Sequence, residues 1–310
     1  MPPAPSDRPT LRFALDEAQK VLAEGSQPER ARRDTETLLL HALRKNAPET
    51  NLAWLIAHDG EPLAPDAAAT FCDLIERRLA GEPIQYITGE AEFYGLSFHV
   101  NRDVLIPRPD TEHLVEKAIA LAQKLRLSSA NPVLRIVDVG TGSGAIAIAL
   151  THALPFAEIT ATDISPAALA VAKANAARNG VADRVRFLEG DLLDSVAGEQ
   201  FDMVVSNPPY VPVSDRNTLD VEVRNYEPAQ ALFAGEDGLA IYYRLIPGAF
   251  GALVTGGFAA LEIGYGQQEA IHALLASAGF SDIEFFGDLQ GIPRVAIARR
   301  FHPDPPLAVL

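Results

Sequence analysis

The 310-residue chain is 48% apolar with 22 glycines and 23 prolines, which suits a globular protein with one large core and one small one and excludes fibrous and wholly disordered classes. Its 41 acidic against 26 basic side chains give a formal charge of −15, spread over both halves, so direct nucleic-acid binding is not expected. The single Cys72 forbids an internal disulfide, and with no leader pattern or membrane-length apolar run the expected setting is cytoplasmic, with no membrane partner.

The first seven residues, rich in Pro and Ser, read as a frayed start. Thr10 then caps a helix whose apolar positions Leu11, Ala14, Leu15, Ala18, Val21 and Leu22 keep helical spacing. Further helices are predicted around Asp34 to Leu43, Leu52 to Ala57 and Asp66 to Leu79, so the opening segment reads as a small helical bundle. Gly81 and Pro83 break that pattern. After Gly95 the period changes to two through Leu96, Phe98 and Val100, the mark of a β-hairpin. Pro107 and Pro109 forbid regular helix until about Thr111, from which a helix runs to Leu125.

Short apolar runs then alternate with helical segments: Leu134 to Val139, Glu158 to Thr162, Val185 to Leu188, Phe201 to Val205, Phe258 to Ile263, Ile283 to Phe286 and Val295 to Ala298. Seven strands with intervening helices predict a doubly wound α/β sheet. The expected organisation is a helical domain over 1–82, a hairpin linker over 83–108, the α/β domain over 109–301 and a tail over 302–310.

Val137-Asp138-Val139-Gly140-Thr141-Gly142-Ser143-Gly144 ends a strand and opens a helix, so its glycines let backbone approach a ligand where side chains would collide. Asp163 follows at the end of the next strand, about 20 residues on, where an acid holds ribose hydroxyls. Asp191, after Gly190, ends a third strand beside the same crevice. These features fit a pocket for S-adenosylmethionine, with Asp191 or the Leu192 backbone at the adenine. They fit a dinucleotide and hydride transfer as well.

Asn207-Pro208-Pro209-Tyr210 separates the two, because it follows the strand at Phe201 to Ser206 and so falls on the same sheet edge as the glycine loop. Consecutive prolines hold the backbone extended and offer no amide hydrogen to occupy neighbouring carbonyls. A planar NH₂ group can therefore donate to the Asn207 side-chain oxygen and to the Pro208 carbonyl, with the Tyr210 ring against its flat face. Asn207, Pro208 and Tyr210 are accordingly the expected catalytic residues, and Asn207, Pro208, Pro209 and Tyr210 the expected substrate contacts.

The tetrapeptide resembles that of methyltransferases acting on conjugated NH₂ groups, in DNA bases and in protein glutamine. Four further stretches, Pro83 to Gly89, Phe93 to Gly95, Val104 to Glu112, and Asn225 to Leu239, make the chain similar to the HemK-type release-factor glutamine N5-methyltransferases from about Leu11 to Arg299. A sister family acting on a ribosomal protein shares the tetrapeptide but is less similar in the last two stretches. The resemblance implies a Rossmann-like methyltransferase domain, S-adenosylmethionine as donor, and class-one peptide-chain release factors as partners, with the glutamine of their Gly-Gly-Gln loop as acceptor. It further implies a donor site built from Gly140, Thr141, Gly142, Ser143, Gly144, Asp163, Asp191, Leu192 and Asn207, and a helical domain that recognises substrate. Where this family often has an aromatic residue beside adenine, this chain has Leu192.

The seven histidines form no close pair with another His or with Cys72, so no metal site is expected. Cys72 and Trp54 read as core residues. Thr141 occupies the first position of what would be a Gly-x-Ser-x-Gly elbow at Ser143, which disfavours a hydrolase. Arg108 is a candidate either for the donor's carboxylate or for an ion pair between domains.

Overall fold

The computed structural model describes residues 8–301 apart from 46, 129–132 and 289, so the expected frayed start and the tail over 302–310 lie outside the described residues. Two compact units emerge: one runs to Gly89 and takes back Asp220–Tyr226, and the other comprises Glu90–Leu219 and the chain from Glu227 onward.

The first unit begins with α1 (Leu11–Ala23), α2 (Ala31–Arg44), α3 (Leu52–Ala57), α4 (Pro65–Leu79) and α5 (Ile84–Thr88). Local chemistry sets the starts. Thr10 accepts from the Phe13 amide at 3.2 Å and Asn51 from the Trp54 amide at 2.9 Å, each cap being worth about 1 kcal/mol. Leu11, Leu22, Leu38, Leu39, Leu55, Phe71 and Leu74 close a core of their own. Two expectations shift. Cys72 is exposed, one residue round the helix from buried Phe71, so it is not a core residue. Trp54 sits at the core margin, stacked on His58 with ring centroids 4.3 Å apart.

The second unit opens with a hairpin, β1 (Glu90–Phe93) and β2 (Leu96–His99), paired antiparallel. Its two-residue turn uses positive φ at both Tyr94 (53°) and Gly95 (71°), the geometry that matches strand twist. The following α6 (Pro109–Ser128) starts two residues earlier than expected. Proline at the first helical position loses no hydrogen bond, since that amide has no partner within the helix.

The remainder is β3 (Leu134–Val139), α7 (Ala145–Ala153), β4 (Ala157–Asp163), α8 (Pro166–Arg178), β5 (Val185–Glu189), β6 (Phe201–Ser206), α9 (Val221–Tyr226), α10 (Ala229–Leu232), α11 (Tyr242–Ala252), β7 (Leu253–Glu262), α12 (Gln268–Ser277), β8 (Phe280–Gly287) and β9 (Pro293–Arg300). Of these, α9 belongs to the helical unit. The seven strands form one sheet in the order β5-β4-β3-β6-β7-β9-β8, parallel except for β9, as the alternating pattern predicts. Strand order reverses between β3 and β6, so a crevice opens at their carboxyl ends, where doubly wound sheets hold ligands.

Within the helical unit, α9 supplies Glu222 to a buried ion cluster. Arg78 Nε meets Asp34 Oδ2 at 2.6 Å and Arg78 Nη1 meets Glu222 Oε1 at 2.5 Å. Among the described residues no helix is long and apolar enough to cross a membrane.

Candidate active site

Four consecutive parallel strands deliver the site. β3 runs into the glycine loop, where Gly140 and Gly142 carry φ of 73° and 56°, a region that a side chain would strain. The loop is tied down from below. Its Gly140 and Thr141 amides donate to the Thr162 carbonyl at 2.9 Å, and Thr141 Oγ1 donates to Asp138 Oδ2 at 2.6 Å. Asp138 also accepts from the Ala147 amide at 3.2 Å, while its Oδ1 is buried with no partner among the described residues. Burial, outweighing those hydrogen bonds, pushes the Asp138 pKa up to about 7.

At the end of β4, Asp163 Oδ2 accepts from the Gly142 amide at 2.8 Å and Oδ1 from the Ser165 amide at 2.9 Å. It is thus fixed between the loop and the start of α8, with burial raising its pKa against these amides. After β5, Leu192 adopts φ of 53°, unusual for a branched side chain, and its carbonyl accepts from Thr162 Oγ1 at 2.9 Å. Asp191 is half exposed and paired with Arg244 at 2.7 Å.

Past β6 comes the tetrapeptide. Ser206 Oγ donates to the Val139 carbonyl at 2.7 Å, locking the end of β6 to that of β3. Asn207 Nδ2 donates to Thr111 Oγ1 at 3.0 Å, which turns the Asn207 carbonyl oxygen away from Thr111. Among the described residues no donor occupies Asn207 Oδ1 or the Pro208 carbonyl. Tyr210 donates its hydroxyl to Glu262 Oε1 at 3.3 Å, and burial beside that carboxyl raises the phenol well above its ordinary pKa. Glu262, at the end of β7, is buried and its own pKa is pushed up to about 7, chiefly by burial.

These strand ends surround one cavity of about 250 Å³ within the sheet unit. Its walls include Gly140, Gly142, Asp163, Asp191, Leu192, Asn207, Pro208 and Pro209. Thr141, Ser143, Gly144 and Tyr210 stand behind the wall rather than on it. Ser143 is buried and its carbonyl accepts from Asn175 at 2.9 Å, and a Cβ on Gly144 would come within 3.2 Å of Ala172 Cβ. The Arg108 ion pair lies within one unit, not between two: its guanidinium pairs with buried Glu227, and Glu227 also accepts from the Ile106 amide at 3.2 Å.

Several contributors were not singled out from sequence. Val104 and Leu105 line the cavity from the segment after the hairpin, and Ile164, Ala231, Ile241 and Arg244 are among its other walls. Thr111 and Glu262 form the layer under the tetrapeptide. The signal for Glu262 is weak: it is one acid closing the apolar run Phe258 to Leu261.

Residues 14–89 match the PrmC N-terminal domain family and residues 118–230 the methyltransferase small domain family. A release factor glutamine methyltransferase of Moorella thermoacetica is 45% identical over 292 residues, covering 94% of this chain and 99% of its own length. One from Koribacter versatilis is 41% identical over 293 residues, with the same coverages of 94% and 99%. Among solved structures, the hMettl16 catalytic domain in complex with MAT2A 3′UTR hairpin 1 superposes with a TM-score of 0.53 at 18% identity, over 86% of this chain and 92% of that one. That likeness speaks for the fold alone.

Proposed function

The chain belongs to the release factor glutamine methyltransferase family, and we propose that it transfers a methyl group from S-adenosylmethionine to the side-chain nitrogen N5 of the glutamine in the Gly-Gly-Gln loop of class-one peptide-chain release factors. The observation that carries this reading is that Asn207 and Pro208 share a cavity wall with Gly140, Gly142 and Asp163. A nicotinamide enzyme would leave the tetrapeptide without a role.

The residues present suit a nucleoside-bearing donor. The positive-φ turn at Gly140 and Gly142 presents bare backbone to the cavity. Each Asp163 oxygen spends one acceptor position on a backbone amide and keeps another for a ribose hydroxyl. Gly140 and Gly142 would form the cradle, with Thr141, Ser143 and Gly144 supporting it from behind, Asp163 would hold the ribose, and Asp191 and Leu192 would border adenine. When bound, the donor supplies an electrophilic methyl on a sulfonium.

An amide nitrogen is a poor nucleophile because its lone pair is delocalised into the carbonyl. Asn207 Oδ1 and the Pro208 carbonyl accept its two hydrogens, aim the nitrogen, and stabilise the positive charge that grows on it, each fixed acceptor contributing about 3 kcal/mol in the transition state. The methylated nitrogen is then acidic enough to lose its proton to water. Tyr210 stands behind Pro208 and Pro209 with its hydroxyl on Glu262; its phenol is held protonated and serves no base role. A folded macromolecular substrate gives the separate helical unit its use, as the part that reads the release factor.

Incubation with labelled donor and purified release factor, followed by peptide mass mapping, tests this. One methyl on the Gly-Gly-Gln peptide is expected. No incorporation, or label confined to other residues, overturns it.

A further inference from the structure

Resting on that reading, we propose that Thr111 and Glu262 are positioning residues for methyl transfer: they form a hydrogen-bond relay beneath the tetrapeptide that sets the orientation of the Asn207 amide and tethers Tyr210. Neither residue touches the reacting atoms. The observation is one of direction. Asn207 Nδ2 donates to Thr111 Oγ1 at 3.0 Å, so the Thr111 hydroxyl hydrogen must point to another acceptor. The Glu262 carboxyl lies beside it and is biased toward the ionised form by that hydroxyl. Tyr210 donates to the same carboxyl at 3.3 Å. Glu262 Oε2 is buried and has no hydrogen-bond partner of its own among the described residues, and the relay assigns the Thr111 hydroxyl to it as donor. Donation then runs one way from Asn207 through Thr111 to one carboxyl oxygen, and from Tyr210 to the other.

Register explains the placement. Ser206 of β6 pairs with Leu261 of β7, so the next residues, Asn207 just past β6 and Glu262 at the end of β7, lie at the same level. Thr111 reaches them from the first turn of α6 and is itself buried. Hydrogen bonds in such a chain polarise one another, so an ionised Glu262 draws density toward Thr111 and strengthens Asn207 as a donor at Nδ2 and as an acceptor at Oδ1. Without the relay the Asn207 amide is free to flip, presenting NH₂ to a substrate NH₂. The Glu262 side chain is faced by Asp110 and Thr111 of α6, Tyr210 after β6 and Arg294 of β9, while Tyr242 of α11 donates to its main-chain carbonyl at 2.6 Å. Arg294 is shared with Asp110 and Asp288 at 3.7 and 3.3 Å, so no cation is dedicated to the carboxyl.

The test uses the full-length chain with purified release factor at saturating donor, comparing Thr111→Val, Thr111→Ser and Glu262→Gln. Thr111→Val is expected to lower kcat about tenfold, short of the roughly hundredfold expected for losing the Asn207 acceptor itself, with donor affinity unchanged. Thr111→Ser should recover to within about threefold, since it keeps the hydroxyl. In the parent, kcat should rise with pH and level off above about pH 7 as Glu262 ionises. Glu262→Gln should lower kcat and abolish that rise. Parental kcat in Thr111→Val, an equal loss in Thr111→Ser, or a pH rise surviving in Glu262→Gln overturns the relay alone. A parent that leaves the release factor unmethylated overturns the functional reading and the relay with it.

Discussion

Two regions of this molecule bury ionisable side chains, and they treat the cost of burial in opposite ways. In the helical unit Arg78 sits between Asp34 and Glu222, with side-chain exposures of 4%, 6% and 12%. Burial by itself lowers the Arg78 pKa, but Asp34 and Glu222 more than reverse this, so the guanidinium stays charged. In the sheet unit Asp138 and Glu262 are equally buried but rely on hydroxyls, one backbone amide and a shared arginine, and both pKa values climb to about 7. Full charge pairing fixes a structure. Partial pairing leaves a carboxyl whose charge can change near neutrality, as acids at reacting centres commonly do.

The helical cluster should therefore be the more brittle. Arg78→Ala leaves Asp34 without its counter-charge and Glu222 with only the exposed Arg30 at 3.9 Å, and is expected to destabilise the helical unit by about 3–5 kcal/mol, read as a fall in the urea midpoint. A loss below about 1 kcal/mol would mean that water reaches Asp34 and Glu222 and that the two regions do not differ in kind.

In the sheet unit the largest single contribution to donor binding is assigned to Asp163. Asp163→Ala removes a carboxyl acceptor and should weaken S-adenosylmethionine by on the order of 1.5 to 3 kcal/mol in a calorimetric titration. Unchanged affinity would move the ribose site away from the end of β4.

The smallest effect sharpens the comparison through pH. Folding raises Asp138 from 3.8 and Glu262 from 4.5, each to about 7, so across that window the folded chain holds more protons than the unfolded one and stability falls as pH rises. Between pH 6 and 8 the expected loss is about 1.4 kcal/mol for each carboxyl, and Glu262→Gln should remove roughly half of the slope. A flat profile in the parent would show that both acids are ionised throughout.

How much was legible without coordinates follows the same division. Gly140 to Gly144, Asp163 and Asn207 to Tyr210 carry their chemistry in local pattern, because a loop or a proline pair announces itself within a few residues. All seven strands were placed, with ends off by a few residues: the β7 run expected from Phe258 starts at Leu253. The one-turn helix α5 had too short a period to register. Thr111 and Glu262 were not singled out because their meaning lies in register between β6 and β7, and in the first turn of α6 reaching across to them. The return of Asp220–Tyr226 to the helices, which gives Arg78 its second partner, likewise joins positions far apart in the chain. Cys72 was misplaced because one step along α4 turns a side chain from the core to solvent.

The most direct test of the central claim is the single-turnover rate of methyl transfer to release factor by Asn207→Ala, with donor binding measured on the same sample. If Asn207 Oδ1 and the Pro208 carbonyl hold the glutamine amide, the rate falls about a hundredfold or more while donor and release factor still bind. Transfer at the parental rate with the donor bound would contradict the account and leave the tetrapeptide a purely structural turn.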